Sequence, residues 1–318
     1  MLINKNQRIY LYLFCIFSLI ISFIIGENSS GGSKLDNQIT RQYIDGFLTG
    51  YSFGIKYFIN TSQVQSPIFY IIIATLEKIL GKFFLQYFYI FITSLIPIIF
   101  YISLKKKFRN VNRNYLFFLS LIFFLSPFFR SSAVWITTDN LAILFYILSI
   151  SKYLSSKKNN TKNILQCLTY LSIAVYLRQY YIIFFLFYFI KFIELLNVKK
   201  LFLISLFQLL IFIPLLFYYY YYLQFDMSKL NIVNLDSHPF KLDPFKNLLI
   251  FLSLYFFYTL PLYANVLLEI KRDIIKYFFY NLILVFIFIF IYFSYEIIFD
   301  ELGGGVFVKI SKILYFSD

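Results

Sequence analysis

The chain has 318 residues, of which 60% are hydrophobic, 24% are aromatic and only 14% are charged. Soluble domains are about half apolar and about a quarter charged, and one core cannot hide several apolar runs of about 20 residues, so this composition excludes an ordinary soluble protein. The net charge of +14 does not indicate nucleic-acid binding, because many of the basic residues lie in short segments between apolar runs. We therefore expect an all-α, multi-pass integral-membrane protein, a polytopic transmembrane bundle of about 9–10 helices.

The first predicted element is an apolar run over 9–25, preceded by Lys5 and Arg8. No small-residue cleavage site follows it, so it predicts a first spanning helix with a cytoplasmic N-terminus and not a signal peptide. Further apolar runs follow along the chain, at 67–81, 83–104, 114–129, 138–151, 163–177, 179–196, 200–223, 246–268 and 274–299. Placing the basic clusters between these runs inside predicts outer loops at about 27–66 and 224–245. The whole of 1–318 is then one integral-membrane domain, in a bacterial inner membrane or the endoplasmic reticulum.

The run 67–81 does not fit this topology as a full crossing. It is short and carries Glu77 and Lys78, and a complete span here would invert everything downstream. We expect it to enter only the outer leaflet or to lie along the interface, with the inverted topology as the alternative.

The first outer loop contains a pattern typical of a helix lying on the membrane. Apolar residues recur every four positions in and just after the segment 35–46, at Leu35, Ile39, Tyr43 and Phe47. The other face carries the charged residues Asp36, Arg41 and Asp45. The pattern predicts an interfacial helix with its polar side toward a cavity, although a solvated loop accounts for the same charges.

Ionisable groups beside the spanning runs are candidate functional residues. Arg130 and Arg178 are placed to bind an anion such as a lipid phosphate, although Arg178 is also placed to snorkel. Asp139 opens a helix, where it serves either as a cap or in substrate binding. His238, in the second outer loop, is typical of a surface residue and only secondarily of a site.

No nucleotide-binding or metal-ligand motif of recognised spacing is present, so no cofactor is assigned and a requirement for a divalent metal stays open. Cys15 and Cys167 lie in apolar runs and are expected to be packing residues.

Several short segments resemble the integral-membrane glycosyltransferases of the GT-C type, which use polyprenyl-phosphate sugars. These are the acidic motif at Asp36-Asn37-Gln38 in a first outer loop, the Ser66-Pro67-Ile68-Phe69-Tyr70 segment that opens the next run, and Thr138-Asp139 at a helix start. With the segments at 177–181 and 237–251, the chain looks most similar to the dolichyl-phosphate-glucose glucosyltransferases. It departs from their pattern in having Asp-Asn where an acidic pair is typical, and it is short for the group.

The resemblance implies an inverting sugar transfer at the periplasmic or lumenal face. Asp36 would act as general base, while Asp45, Arg41, Arg130, Asp139, Arg178 and His238 would bind substrate. The expected partners are a polyprenyl-phosphate sugar, a glycan or lipid-linked acceptor and membrane lipid, with no nucleic acid. Two other functions remain open: a polysaccharide polymerase or ligase, and a transporter or flippase for a lipid-linked or anionic solute.

Overall fold

The computed structural model describes residues 4–28, 33–60, 66–156 and 160–225 of the chain. These residues form eleven α-helices and one 3₁₀ turn (Gln179–Ile182) and contain no strand, so the all-α prediction is confirmed for this part of the chain. The helices are α1 Lys5–Ile24, α2 Ser33–Thr49, α3 Tyr51–Asn60, α4 Ile68–Leu80, α5 Lys82–Lys107, α6 Arg113–Leu125, α7 Pro127–Trp135, α8 Thr138–Tyr153, α9 Thr161–Leu177, α10 Ile183–Ile193 and α11 Val198–Phe225. They belong to one compact unit. The single domain over 1–318 stays a prediction, and the second outer loop lies outside the described residues beyond Phe225.

Three of these helices are long and apolar enough to cross a membrane: α1 over Asn6–Ile24, α5 over its whole length, and α11 over Val198–Phe217. The helices α6 and α7, which meet at an angle of 60°, together are long and apolar enough to form a fourth span if they are counted as one. This is compatible with a membrane protein, whereas the full count of 9–10 spanning helices stays a prediction. α4 has only 13 residues, about 20 Å, and is not among the candidate spans, and neither are α8 and α9. The expectation that 67–81 does not cross the membrane stays a prediction.

The break between α6 and α7 follows from the local sequence. Proline disfavours a helical conformation in the residue before it, and Ser126 is accordingly extended. Pro127 then starts α7, where its missing N–H leaves no hydrogen bond unmade, and the Ser126 side chain accepts a hydrogen bond from the backbone N–H of Phe129. The Ser-Pro pair therefore divides one apolar stretch into two helices.

Polar contacts distinguish the two ends of the helices. At one end, Arg8 of α1 donates to the hydroxyl of Tyr101 in α5, and the Lys106 ammonium donates to Ser151 of α8. At the opposite end, Trp135 is the last residue of α7 and donates to the backbone carbonyl of Glu27, just after α1. Arg8 and Lys106 thus lie at the end of the helices opposite to the first loop, which is compatible with the positive-inside rule.

The first loop is a helical hairpin, α2–α3, whose helices cross at two glycines. Gly46 lies against the Cα of Gly54, and a Cβ added to Gly54 would come within 2.9 Å of the Phe47 Cα and closer still to its ring. Phe47 is fully buried, so its backbone cannot retreat easily. A glycine at 54 is what lets the two helices approach this closely.

The Gly54→Ala variant is therefore expected to unfold more easily, by about 1–3 kcal/mol, because an extra methyl group would overpack the crossing. The comparison is Gly50→Ala, since a Cβ at Gly50 meets nothing within 4 Å. Denaturation of both variants in mixed micelles measures the difference. Equal free energies of unfolding for the two would contradict the tight crossing.

The predicted apolar stripe of α2 is only half right. Tyr43 and Phe47 are buried, but Leu35 and Ile39 are more than 40% exposed. The helix runs from Ser33 to Thr49 and buries the second half of its apolar face against α3, α4 and α7. The first half has no such cover in the part of the chain that the structure describes.

Candidate functional site

The polar groups of the first-loop end gather around the junction between α7 and α8. Ile136, at this junction, has a φ of +48°, which a β-branched residue rarely adopts and which costs roughly 1–2 kcal/mol. Two side chains of α5 hold the strained turn in place. The Tyr89 hydroxyl donates a hydrogen bond to the backbone carbonyl of Thr137, and the Gln86 amide donates one to the backbone carbonyl of Val134. Strain that is held in place in this way is typical of functional sites.

Asp139 lies three residues after the strained turn and binds Arg178. The guanidinium donates to the carboxylate over 2.7 Å, and the Thr137 hydroxyl donates to the same carboxylate oxygen. Asp139 is the second residue of α8 and does not cap it, because the N-cap is Thr137. The pair joins the start of α8 to the residue that ends α9.

Asp36, in the first turn of α2, completes this group. Its carboxyl reaches solvent, but the surrounding protein desolvates it and raises its pKa above the ordinary value. Arg178 opposes this rise in pKa, and the negative charge of Asp139 adds to it. Three predicted site residues from distant parts of the sequence therefore interact electrostatically, and we call them the Asp36 cluster: Asp36, Asp139 and Arg178.

Two tyrosines beside the cluster were not predicted as site residues. Tyr70 of α4 interacts electrostatically with Asp36 and Arg178, and Tyr180 interacts with Asp139 and Arg178. Both lie in segments that carry the family resemblance, 66–70 and 177–181, and that position is the signal that could have found them.

Arg130 lies in a different polar group. All five of its N–H donors have acceptors within the protein: the Glu27 carboxylate, the hydroxyls of Ser18 and Ser22, and the backbone carbonyl of Phe124. The pair is largely buried, with 22% of the Arg130 side chain and 16% of the Glu27 side chain exposed. Phosphate binding by Arg130 stays a prediction, and what its contacts do here is fix the first loop to the broken span.

Removal of Arg130 is expected to destabilise the protein strongly, because the Glu27 carboxylate would lose its counter-charge. Breaking a fully buried ion pair lowers the free energy of unfolding by about 3–5 kcal/mol. We expect a smaller loss for Arg130→Met, because this pair is partly exposed. The double variant Arg130→Met/Glu27→Gln should recover part of this loss. Unfolding free energies of the two single variants and the double variant give the coupling, and a coupling near zero would contradict the pairing.

Arg41 is also neutralised by carboxylates. It makes two hydrogen bonds to Glu77 of α4, at 2.6 and 2.7 Å, and an ion pair with Asp45, which is 55% exposed. Asp45 lies nine residues after Asp36, about two and a half turns, and therefore on the opposite side of α2. The expectation that the two carboxylates share one polar face of this helix is wrong. The substrate-binding roles predicted for Arg41 and Asp45 stay predictions, and their contacts favour a role in joining α2 to α4.

Arg178 differs from both of these arginines. Its described partner is Asp139, and its Nε lies buried with no hydrogen-bond acceptor among the described residues. A buried donor without an acceptor is costly in a finished structure and is expected where a ligand supplies the missing group. Among the three predicted site arginines, Arg178 is therefore the one best placed to bind an anion.

A cavity of about 320 Å³ is lined by residues of α2, α4 and α5 and by Ile136 of the α7–α8 junction. Its polar lining consists of three carboxamides and two cations: Asn37, Gln38, Gln86, Arg41 and Lys82. Its apolar lining consists of Ile44, Ile73, Leu85 and Ile136. We call it the α2–α5 cavity.

The remaining predicted site residue, His238, lies outside the described residues. Within the described ranges, no three His, Cys, Asp or Glu side chains are grouped in a way that would hold a metal ion. Cys15 and Cys167 are both free, and Cys167 is buried against Ser149.

Comparison of the chain with models of protein families, with curated protein sequences and with solved structures found no match.

Proposed function

We propose that the chain is an integral-membrane glycosyltransferase of the GT-C type. It transfers a sugar from a polyprenyl-phosphate donor to an acceptor hydroxyl at the periplasmic or lumenal face. The observation that carries the proposal is the Asp36 cluster, in which a partly desolvated carboxyl interacts with an arginine that has an unused Nε donor. These are the two groups that an inverting transfer from a lipid phosphate needs.

The membrane placement follows from the spans and the charges. α1 leads outward from a basic N-terminus, and the 26-residue α5 returns to a second basic cluster at its end, Lys105–Lys107. The first loop and the ends of α7 and α9 then lie outside together. A lipid-linked donor in the outer leaflet reaches the Asp36 cluster from the membrane.

Asp36 acts as the general base. The acceptor oxygen forms its bond to the anomeric carbon while the bond from that carbon to the phosphate oxygen breaks. Asp36 takes the proton of the acceptor hydroxyl, and the lipid monophosphate leaves with the bonding electrons. The raised pKa of Asp36 makes its carboxylate a stronger base than an ordinary aspartate, and such a base contributes about 10²–10⁴-fold.

Arg178 binds the donor phosphate and stabilises the negative charge that grows on it as the sugar leaves. Asp139 is a positioning residue, because its ion pair with Arg178 fixes the guanidinium while leaving Nε available. Asp36 therefore acts on the acceptor hydroxyl, while Arg178, held by Asp139, acts on the leaving phosphate.

A transport function has one observation in its favour, the broken span α6–α7, since transporters build their sites at discontinuous helices. Here the break is followed directly by Arg130, whose donors are all taken by the protein. The break therefore offers no free cation to a solute, and transfer is the better-supported function.

The test is to incubate membranes containing the chain with a panel of polyprenyl-phosphate sugars labelled in the sugar. We expect one of the labels to move to an acceptor as a single added residue, and Asp36→Asn membranes to lack this product. Labelled polymer would favour the polymerase or ligase function. Movement of an intact labelled lipid across the bilayer, without transfer, would favour the flippase.

A further inference from the structure

The α2–α5 cavity lies apart from the groups to which the proposed sugar transfer assigns a role. Its charge balance can be read from the described contacts. The Arg41 charge is compensated by Glu77 and Asp45, whereas Lys82 forms no ion pair with any residue in the described ranges. No carboxylate lines the cavity itself. Of the two cations in the cavity lining, Lys82 is therefore the one without a carboxylate partner among the described residues.

The position of Lys82 follows from the turn before it. Gly81 has a φ of +78°, a conformation that glycine adopts without strain, and it separates α4 from α5. Lys82 is consequently the first residue of the longest candidate span and lies at the end where that span meets the interface. A cation at this depth is placed to meet lipid phosphates.

The surface next to Lys82 is apolar and open. Phe83 and Phe84 are 65% and 66% exposed, and Phe91, two turns further along α5, is 59% exposed. Phenylalanine has no polar group, so exposed phenylalanines on a spanning helix are suited to contact lipid acyl chains. The cavity therefore offers polar donors for a headgroup, and α5 continues from it as an apolar face for the chains.

We propose that the α2–α5 cavity binds the headgroup of an anionic membrane phospholipid. Lys82 contacts the phosphate, and the carboxamides of Asn37 and Gln38 donate hydrogen bonds to the headgroup oxygens. The acyl chains lie along the exposed aromatic face of α5. The inference rests on the membrane placement proposed above but not on sugar transfer, so that either can fail without the other.

A bound lipid here would join α2, which carries Asp36, to the start of α5. The Arg41–Glu77 ion pair already joins α2 to α4, the helix that precedes α5. The lipid is thus a structural ligand of the first loop, separate from the donor that Arg178 binds.

The experiment titrates the purified full-length chain in detergent with phosphatidylglycerol, and native mass spectrometry measures bound lipid. We expect Lys82→Gln to weaken binding at least about tenfold, because a charge-assisted hydrogen bond is lost. The matched control is Lys78→Gln, which removes the same charge four residues earlier from a side chain that lies over the Tyr51 ring and does not line the cavity. It should bind like the wild type.

A second matched pair tests the carboxamides. Gln38 lines the cavity, whereas Gln42 lies on the same helix and does not. Gln38→Leu is expected to weaken phosphatidylglycerol binding severalfold, and Gln42→Leu to leave it unchanged. Size-exclusion profiles identical to that of the wild type show that the exposed-residue variants are folded.

Four results would overturn the proposal. Equal weakening by Lys78→Gln and Lys82→Gln would mean diffuse attraction without a site, and unchanged binding in Lys82→Gln would remove the site altogether. If phosphatidylcholine bound as tightly as phosphatidylglycerol, the negative charge of the lipid would have no role in binding. Displacement of phosphatidylglycerol from the cavity by an equal concentration of polyprenyl phosphate would assign the cavity to the donor.

Discussion

Asp36→Asn is expected to lower the rate of sugar transfer by about 10²–10⁴-fold, with little effect on expression or on donor binding. The amide keeps the size and the hydrogen bonding of the side chain but cannot take the proton of the acceptor hydroxyl. Single-turnover transfer of label from the donor, measured at saturating acceptor, isolates the chemical step. Only this step should be slow.

The matched comparison is Asp45→Asn, the same change on the same helix. Asp45 is exposed, pairs with Arg41 and lies on the opposite side of α2, so the variant should keep most of the activity. Full transfer by Asp36→Asn would remove Asp36 from the role of base. Equal losses in both variants would mean that α2 depends on its net charge and not on one catalytic carboxylate.

Arg178→Gln is expected to lower kcat/KM for the donor by about 10²–10³-fold, through both a higher KM and a lower kcat. The substitution removes the charge that binds the phosphate and stabilises it as it leaves. It also leaves Asp139 without its 2.7 Å partner. Steady-state kinetics with varied donor concentration measures both parameters.

Arg178→Lys separates charge from shape. A lysine keeps the positive charge but loses the planar fork that grips two oxygens at once, so it should restore part of the lost activity and not all of it. Arg130→Lys is not expected to affect donor kinetics in this way, because Arg130 binds Glu27 and the serines of α1 and the proposed mechanism assigns it no role in binding the donor. An unchanged donor KM in Arg178→Gln would contradict phosphate binding by this residue.

Composition and the spacing of apolar runs are sufficient to predict the helical class. In lipid, a run of about 20 apolar residues can satisfy its backbone hydrogen bonds within the segment only as a helix. The pairing of Asp139 with Arg178 was within reach of the sequence as well. α8 and α9 have 16 and 17 residues, so a hairpin of two such helices brings the start of one beside the end of the other. Asp139 and Arg178 occupy those two ends.

Other features depended on contacts between distant segments and could not be predicted. Arg130 was expected to be available to a phosphate, but its partner Glu27 lies 103 residues away, and no local pattern links the two. The apolar stripe of α2 failed at Leu35 and Ile39 because periodicity identifies a face but not which part of it finds a partner. The strained turn at Ile136 carries no glycine to mark it.

The most direct test of the account is the pH dependence of kcat/KM in the wild type and in two charge variants. Because Asp36 must be deprotonated to act, activity should fall as the pH drops through its raised pKa. Asp139→Asn removes a charge that raises the pKa of Asp36, so the acid limb should move to lower pH, whereas Arg178→Gln removes a charge that lowers this pKa and should move the limb to higher pH. Opposite shifts of the acid limb are the result that a single coupled site predicts. A limb that stays at the same pH in both variants would contradict Asp36 as the base of this cluster.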